Sequence, residues 1–87
     1  MRVEANLKLA ESVNLARTKE IVTGILQSTD GILKNPEPQI LYKNITQTGA
    51  ELQVLFWADD INKWVQLKSD TLQKIYDACS KENINLV

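Results

Sequence analysis

The sequence predicts an α+β domain with the element order β-α-β-β-α-β, because stretches of period two alternate with stretches of helical period. Residues 2–10 and residues 51–58 place apolar side chains at every second position, which is typical of half-buried strands. Thr18 to Leu26 and Val65 to Glu82 repeat their apolar residues at intervals of three and four, as one face of a helix does. With right-handed crossovers, this order predicts a ferredoxin-like two-layer sandwich, an antiparallel sheet with two helices on one face.

The first strand, predicted over Arg2 to Ala10, has one apolar and one polar face. Its apolar positions are Val3, Ala5, Leu7 and Leu9, and its polar positions are Arg2, Glu4, Asn6 and Lys8. Because successive side chains of a strand point to opposite faces, we expect the apolar set to lie on the core and the polar set to face solvent.

The first helix begins where the spacing of the apolar residues changes from every second position to every third or fourth. Its apolar stripe consists of Thr18, Ile21, Val22, Ile25 and Leu26. Asn14 is the predicted N-cap, since its short side chain can accept a hydrogen bond from a free amide of the first turn. Gly31 closes the exit segment Ser28 to Gly31 and predicts a left-handed C-terminal position. Gly24 costs the helix about 1 kcal/mol relative to Ala, which suggests close packing on the sheet.

A hairpin follows the Pro-Glu-Pro segment at positions 36–38. We predict its strands over Gln39 to Ile45 and Glu51 to Ala58, with Thr46 to Ala50 and its Gly49 as the loop. A second helix is predicted from Val65 to Glu82.

The second helix and the chain end complete the predicted core. The buried stripe of this helix is predicted to be Leu72, Ile75, Tyr76 and Cys79, with Lys68 beside it. Asn83 should end the helix, and Ile84 to Val87 predict a short last strand. Over the whole chain the predicted core consists of Val3, Leu7, Ile21, Val22, Ile25, Val54, Phe56, Leu72, Ile75 and Cys79.

Composition indicates one small domain and excludes several kinds of function. The chain has 87 residues, one Cys and no His. We therefore expect a single domain, residues 1–87, with no disulfide framework, no thiolate zinc site and no Ser-His or Cys-His dyad. A net charge of -1 and a pI near 5.3 provide no basic field for a nucleic-acid backbone. No apolar run in the sequence reaches the ~20 residues that span a bilayer.

The sequence predicts no enzymatic activity. Asp59 and Asp60 are its only adjacent carboxylates, and neighbouring acids in a polar loop form a turn or a helix entry far more often than an acid–base pair. Cys79 lies on the apolar stripe of the second helix, which favours a buried small hydrophobe over a nucleophile. We predict no catalytic residue, no metal ligand and no cofactor-binding residue.

Leu55 and Trp57 are the candidate contact residues. If Leu52, Val54 and Phe56 face the helices, Leu55 and Trp57 lie on the opposite, open face of the sheet. Large apolar side chains on an open sheet face indicate contact with another subunit or domain.

The alternative is that residues of the same chain cover Leu55 and Trp57. Tyr42, Leu41 or the C-terminal tail could lie over Leu55 and Trp57. Trp64, just before the second helix, is predicted to anchor the end of the sheet rather than to form a ligand site.

The sequence lacks the motifs of three other kinds of protein that have such a sandwich fold. An RNA-recognition domain needs a basic residue, a Gly and alternating aromatic residues in its third strand, and Glu51 to Trp57 has no such pattern. An acylphosphatase-like enzyme needs an Arg-bearing phosphate loop after the first strand, which Glu11-Ser12-Val13 does not resemble. A ferredoxin-like metal carrier needs a Cys-x-x-Cys motif, and the chain has one Cys.

The chain resembles the C-terminal cytoplasmic domain of small-conductance mechanosensitive (MscS-type) channels. The likeness is carried by segments that occur in the family's order, namely the helix Asn14 to Val22, the turn Gly31 to Pro38, the pair Phe56-Trp57 with Trp64 after it, the helix Ser69 to Cys79 and the closing segment Asn83 to Val87. The family usually has Asp where this chain has Asn35 and Gly where it has Asn83.

The resemblance implies a homo-oligomeric channel, usually a heptamer, whose cytoplasmic domains form a hollow chamber while a pore elsewhere opens under membrane tension. This chain would supply subunit contacts and chamber wall on the cytoplasmic side of the cell (inner) membrane. Its partners would be other copies of itself and the adjacent β-domain. The family's transmembrane helices and β-domain are missing, so we expect a soluble C-terminal domain excised from a larger membrane protein.

A second class of function fits the same predicted fold. A stand-alone α/β sandwich that senses a small molecule dimerises through its sheet edges and regulates a metabolic enzyme. The parent gene separates the two classes, because a channel requires upstream apolar segments of ~20 residues and a sensor requires an enzyme domain.

Overall fold

Three strands and two helices make up the computed structural model of the protein, which describes residues 1–10 and 14–86. The elements are β1 (Arg2–Leu9), α1 (Leu15–Ser28), β2 (Gln39–Thr46), β3 (Gly49–Trp57) and α2 (Trp64–Lys81). The predicted α+β class is confirmed. Among the described residues, neither helix combines the length and the apolar character needed to cross a membrane.

The sheet is antiparallel and has the order β1-β3-β2. The loop of the hairpin is shorter than predicted, because β2 extends to Thr46 and pairs it with Gly49. In place of the predicted last strand, the described part of the chain end forms a single antiparallel bridge between Leu86 and Leu9. The prediction for Val87 lies outside the described residues.

One core cluster joins both helices to one face of the sheet. Six of the predicted core residues are buried in it, namely Val3, Val22, Val54, Phe56, Ile75 and Cys79. The other four are partly buried and pack against it, namely Leu7, Ile21, Ile25 and Leu72. On β1 and β3 the buried residues are register partners, as in the pairs Val3 with Phe56 and Ala5 with Val54.

The buried stripe of α2 is rotated relative to the prediction. Tyr76 was predicted to be buried, but its side chain is 53% exposed. The stripe instead runs through Thr71, Ile75 and Cys79, at intervals of four residues, and Thr71 is only 1% exposed. Thr71 and Tyr76 lie on opposite sides of Ile75 around the helix axis, so burying the first leaves the second at the rim.

The start of α1 is at the predicted residue but is capped differently. Asn14 has left-handed backbone angles (φ 58°, ψ 33°) and makes no side-chain capping hydrogen bond. Its carbonyl oxygen accepts hydrogen bonds from the amide and the hydroxyl of Thr18, both at 2.9 Å. The predicted side-chain cap is therefore wrong, because side-chain capping needs the extended backbone that an N-cap residue usually has.

The C-terminal end of α2 is a Schellman turn. The amide of Ile84 donates to the Cys79 carbonyl at 2.9 Å, and that of Asn83 donates to the Ser80 carbonyl at 3.1 Å. Asn83 takes the left-handed conformation at φ 59°, which this turn requires at the residue after the helix. The predicted end of the helix at Asn83 is confirmed.

The structure confirms the role predicted for Gly31 but not the one predicted for Gly24. Gly31 has a φ of 93°, so the left-handed position after α1 is confirmed. Gly24 is exposed, and a Cβ atom added to it would meet nothing within 4 Å. The expectation that Gly24 packs closely on the sheet is wrong.

Candidate interaction surface

The strand register places Leu55 and Trp57 on the sheet face that points away from the core. Their neighbours Val54 and Phe56 are buried in the core, and side chains alternate along a strand. Across the sheet, Leu55 lies between Glu4 of β1 and Gln39 of β2.

The two candidate contact residues differ in exposure. Leu55 is only 8% exposed although it is not part of the core cluster, and Trp57 is half-buried. The face is therefore less open at Leu55 than the sequence predicts. Trp57 presents the accessible aromatic surface.

Two further leucines extend this apolar surface. The amide of Leu33 donates to the carbonyl of Trp57 at 2.8 Å, next to the bridge between Ile32 and Ala58. Since Ile32 and Ala58 are both buried in the core, alternation places Leu33 beside Trp57 on the other face. Leu41, the register partner of Gln53, lies on the same face. We refer to Leu33, Leu41, Leu55 and Trp57 as the apolar surface.

Neither Tyr42 nor the described chain end covers this surface. Tyr42 pairs with the core residue Leu52, and its hydroxyl donates to the carbonyl of Leu15 on α1. Leu86 lies at the far end of β1, opposite Leu9. Leu41 and Leu33 are themselves 46% and 37% exposed, so they add accessible apolar area to this surface.

The half of the same face formed by β1 is polar. Arg2 and Glu4 form an ion pair at 2.8 Å, and Gln53 donates a long hydrogen bond of 3.5 Å to Glu4. Lys8 lies 4.0 Å from Glu51. Because the four charged side chains are exposed, their mutual attraction adds little to stability, but they give the apolar surface one charged border.

Trp64 begins α2 and packs, partly buried, against the core cluster. This position agrees with the predicted anchor at the end of the sheet. Its neighbour Val65 and the preceding Ile61 are exposed instead.

Asp60 and Cys79 lie where the sequence predicts them, in a turn before α2 and on its buried stripe. The Asp60 carboxylate accepts the amide of Asn62 at 2.9 Å, and its carbonyl accepts the amide of Lys63 at 3.2 Å, so Asp60 shapes the turn before α2. Cys79 is fully buried, and this burial raises the pKa of its thiol and keeps it protonated.

The larger grooves do not coincide with the apolar surface. One, of about 400 Å³, lies where the hairpin passes the end of β1 and is lined by Leu9, Ala10 and Gly49 among others. Another, of about 410 Å³, lies between the two helices and is lined by Asp30, Asp70 and Lys74 among others. Residues 1–10 and 14–86 contain no group of three or more His, Cys, Asp or Glu side chains that could hold a metal ion.

Comparison with known protein families shows which family the chain belongs to. Residues 3–86 match the family described as "Mechanosensitive ion channel MscS, C-terminal". The chain belongs to this family. The match spans every element from β1 to the bridge at Leu86, so it confirms the resemblance seen in the sequence. A search of the curated proteins finds no match for the chain.

Membership of this family indicates the kind of protein that contains such a domain and the side of the membrane on which the domain lies. The MscS C-terminal domain is a cytoplasmic domain of mechanosensitive channels that are assembled from several subunits. It is a channel domain and does not belong to a known enzyme family.

Proposed function

We propose that this domain serves subunit assembly and forms chamber wall in a mechanosensitive channel, within a longer membrane protein. The observation that carries the proposal is the family match over residues 3–86. The apolar surface supports it, because a monomer gains nothing from leaving an indole half in water, whereas an assembly can bury it.

Within that channel, we propose that Leu55 and Trp57 contact a neighbouring copy or the adjacent β-domain. Trp57 supplies most of the contact area, since Leu55 is already largely covered within its own chain. The exposed Leu33 and Leu41 enlarge the contact on two sides of this pair. The charged border along β1 then fixes the orientation of the partner more than the strength of binding.

The same family suggests the number of subunits, the membrane and the architecture that we propose. We propose a homo-oligomer, a heptamer as in related channels, on the inner membrane of the cell. The architecture we propose is the ferredoxin-like sandwich, with the bridge between Leu9 and Leu86 as the remnant of its fourth strand beside β1.

Reconstitution of the full-length protein tests this function. The protein should be placed in liposomes, and patches should be put under graded suction while current is recorded. The proposal predicts currents that rise steeply with membrane tension. Full-length protein that inserts into the bilayer but passes no current at any tension short of rupture would contradict it.

A further inference from the structure

A groove between the last turns of α1 and the Pro-Glu-Pro segment combines an apolar floor with charges of both signs. Its volume is about 250 Å³, and a narrower recess of about 40 Å³ adjoins it. Both parts share the same four residues, namely Leu26, Gln27, Glu37 and Pro38, so they form one continuous site. We propose that this groove binds a small zwitterionic molecule with a short aliphatic part, of which an aliphatic α-amino acid is the simplest example.

Helix α1 supplies one wall of the groove. Thr23 and Gln27 are four residues apart and are therefore neighbours on one side of this helix. Thr23 lines the recess, and Gln27 lines both parts of the site. The carboxamide of Gln27 can donate and accept hydrogen bonds, as can the hydroxyl of Thr23. This wall therefore offers polar groups without charge, which suit either end of a zwitterion.

The floor of the groove belongs to the hydrophobic core. Leu26 is 1% exposed, and Ile40, at the start of β2, is the register partner of the core residue Val54. Pro38 is half-buried beside them and has no polar side-chain group. Because Leu26 and Ile40 are already held in place by the core, the floor exists before a ligand arrives, as is usual for small-molecule sites.

The segment that joins α1 to β2 supplies the two charges. Lys34 and Glu37 are both exposed and both line the groove. Within residues 1–10 and 14–86, neither forms an ion pair, with the other or with any third group, and the Gln27 side chain makes no hydrogen bond. A carboxylate can therefore approach Lys34 while an ammonium group approaches Glu37. A molecule with one charge satisfies only one of them.

The volume of the groove limits the size of the ligand. At about 250 Å³ it is smaller than the ~300–1,000 Å³ of pockets that hold drug-sized molecules. The aliphatic part of the ligand is therefore short, as in valine, and lies on Leu26 and Pro38. Since a molecule this small makes few contacts, we expect a dissociation constant on the order of 1 mM.

The described residues that border the gaps in the structure lie away from this groove. The groove is at the C-terminal end of α1, about 20 Å along the helix from Asn14. Leu86 lies beside Leu9 on β1, and β3 separates β1 from β2. The site therefore rests on described residues of α1, β2 and the segment between them. It is independent of the proposed channel function, which can hold whether or not the groove binds a ligand.

Titration of the 87-residue chain with L-valine at constant ionic strength, followed by NMR, tests the proposal. The amide shifts of Thr23, Gln27, Glu37 and Ile40 should change and saturate together. Isovalerate lacks the ammonium group of valine and isobutylamine lacks its carboxylate, so each should bind about tenfold or more weakly. Glycine, which lacks the aliphatic part, should also bind more weakly. The proposal fails if the shifts do not saturate with valine, or if any of the three other compounds binds as tightly.

Exchange of the two charges provides a second test. Lys34→Glu and Glu37→Lys each leave two like charges in the groove and should weaken valine binding by about tenfold or more. The double variant restores one charge of each sign and should recover part of the affinity. Both residues are exposed, so circular dichroism should show an unchanged fold. Lys43→Glu is the matched control, because Lys43 is exposed on β2 and does not line the groove.

Two results of this exchange would overturn the proposal. One is equal binding of valine by Lys34→Glu and Lys43→Glu, which would show that the charge in the groove has no role. The other is a double variant that binds valine no better than either single variant, which would show that opposite charges are not what the ligand requires.

Discussion

Gly49 and the carbonyl oxygen of Leu9 approach so closely that no side chain fits between them. A Cβ atom on Gly49 would lie 2.5 Å from this oxygen, which belongs to the backbone and cannot rotate away. The sequence suggested a glycine in the hairpin loop, but Gly49 is the first residue of β3. The close approach to β1, rather than an unusual backbone angle, is what requires glycine here.

Replacing Gly49 with alanine should therefore destabilise the domain by about 1–3 kcal/mol, because the strands must shift apart. Urea unfolding followed by circular dichroism measures the change. Gly24→Ala is the matched control, since the new methyl group would meet nothing within 4 Å. It should raise stability by up to about 1 kcal/mol through helix propensity. Equal effects of the two substitutions would disprove this account of Gly49.

Asn83→Gly should stabilise the domain by roughly 0.5 kcal/mol. Asn83 is held at φ 59°, where glycine has no Cβ to strain. The urea midpoint should rise without a change in the slope of the transition. Asn6→Gly is the control, because Asn6 lies in the extended strand β1 and the same change should lower the midpoint. A lower midpoint for Asn83→Gly would show that the Asn side chain contributes more than its strain costs.

Tyr42→Phe should cost about 1 kcal/mol at neutral pH, because it removes the donor to the Leu15 carbonyl and leaves the packing on Leu52. Unchanged stability at pH 7 would show that this hydrogen bond adds nothing.

The same substitution should change the response to alkali. Burial raises the pKa of Tyr42 because it disfavours the phenolate. The folded chain therefore holds the proton at pH values where the unfolded chain has lost it, and stability falls as the pH rises above about 10. This fall should be shallower in Tyr42→Phe. The Cys79 thiol, whose pKa is also raised by burial, acts in the same direction in both proteins and cancels in the comparison.

The class of the fold and the places of its two helices and first three strands could be predicted from the sequence, because period two and period 3.6 are both sustained over long segments. The predicted last strand is too short to show either period, and its described part forms a single bridge. The orientation of α2 could not be predicted. Leu72, Ile75, Tyr76 and Cys79 form a more apolar stripe than Thr71, Ile75 and Cys79, so hydrophobicity alone selects the wrong one. Only packing against the sheet shows that Thr71 faces the core and that Tyr76 reaches Leu86 instead.

The candidate surface was predictable only in part. Alternation along β3 was enough to place Leu55 and Trp57 on the face away from the helices. Leu33 could not be assigned to that face, because its position depends on the bridge between Ile32 and Ala58, which are distant in sequence. A single bridge between two residues produces no repeating pattern in the sequence from which it could be predicted.

In the isolated domain, the two neighbouring aromatic residues should respond very differently to truncation. Phe56 is 1% exposed and central to the core, so Phe56→Ala should cost about 3–5 kcal/mol. Trp57 lies on the other face, and Trp57→Ala should cost about 1 kcal/mol or less. Thermal unfolding of both variants provides the comparison. Similar losses would mean that Trp57 belongs to the core and is not available for contact.

The size of the assembled full-length channel tests the central claim most directly. Native mass spectrometry of the detergent-solubilised protein should show intact oligomers for the unchanged sequence and for Gln53→Ala, a polar control on the same sheet face. Trp57→Ala should shift the population towards smaller species while each domain stays folded. Oligomers of Trp57→Ala that are as abundant and as resistant to dissociation as those of the control would contradict the assignment of this surface to channel assembly.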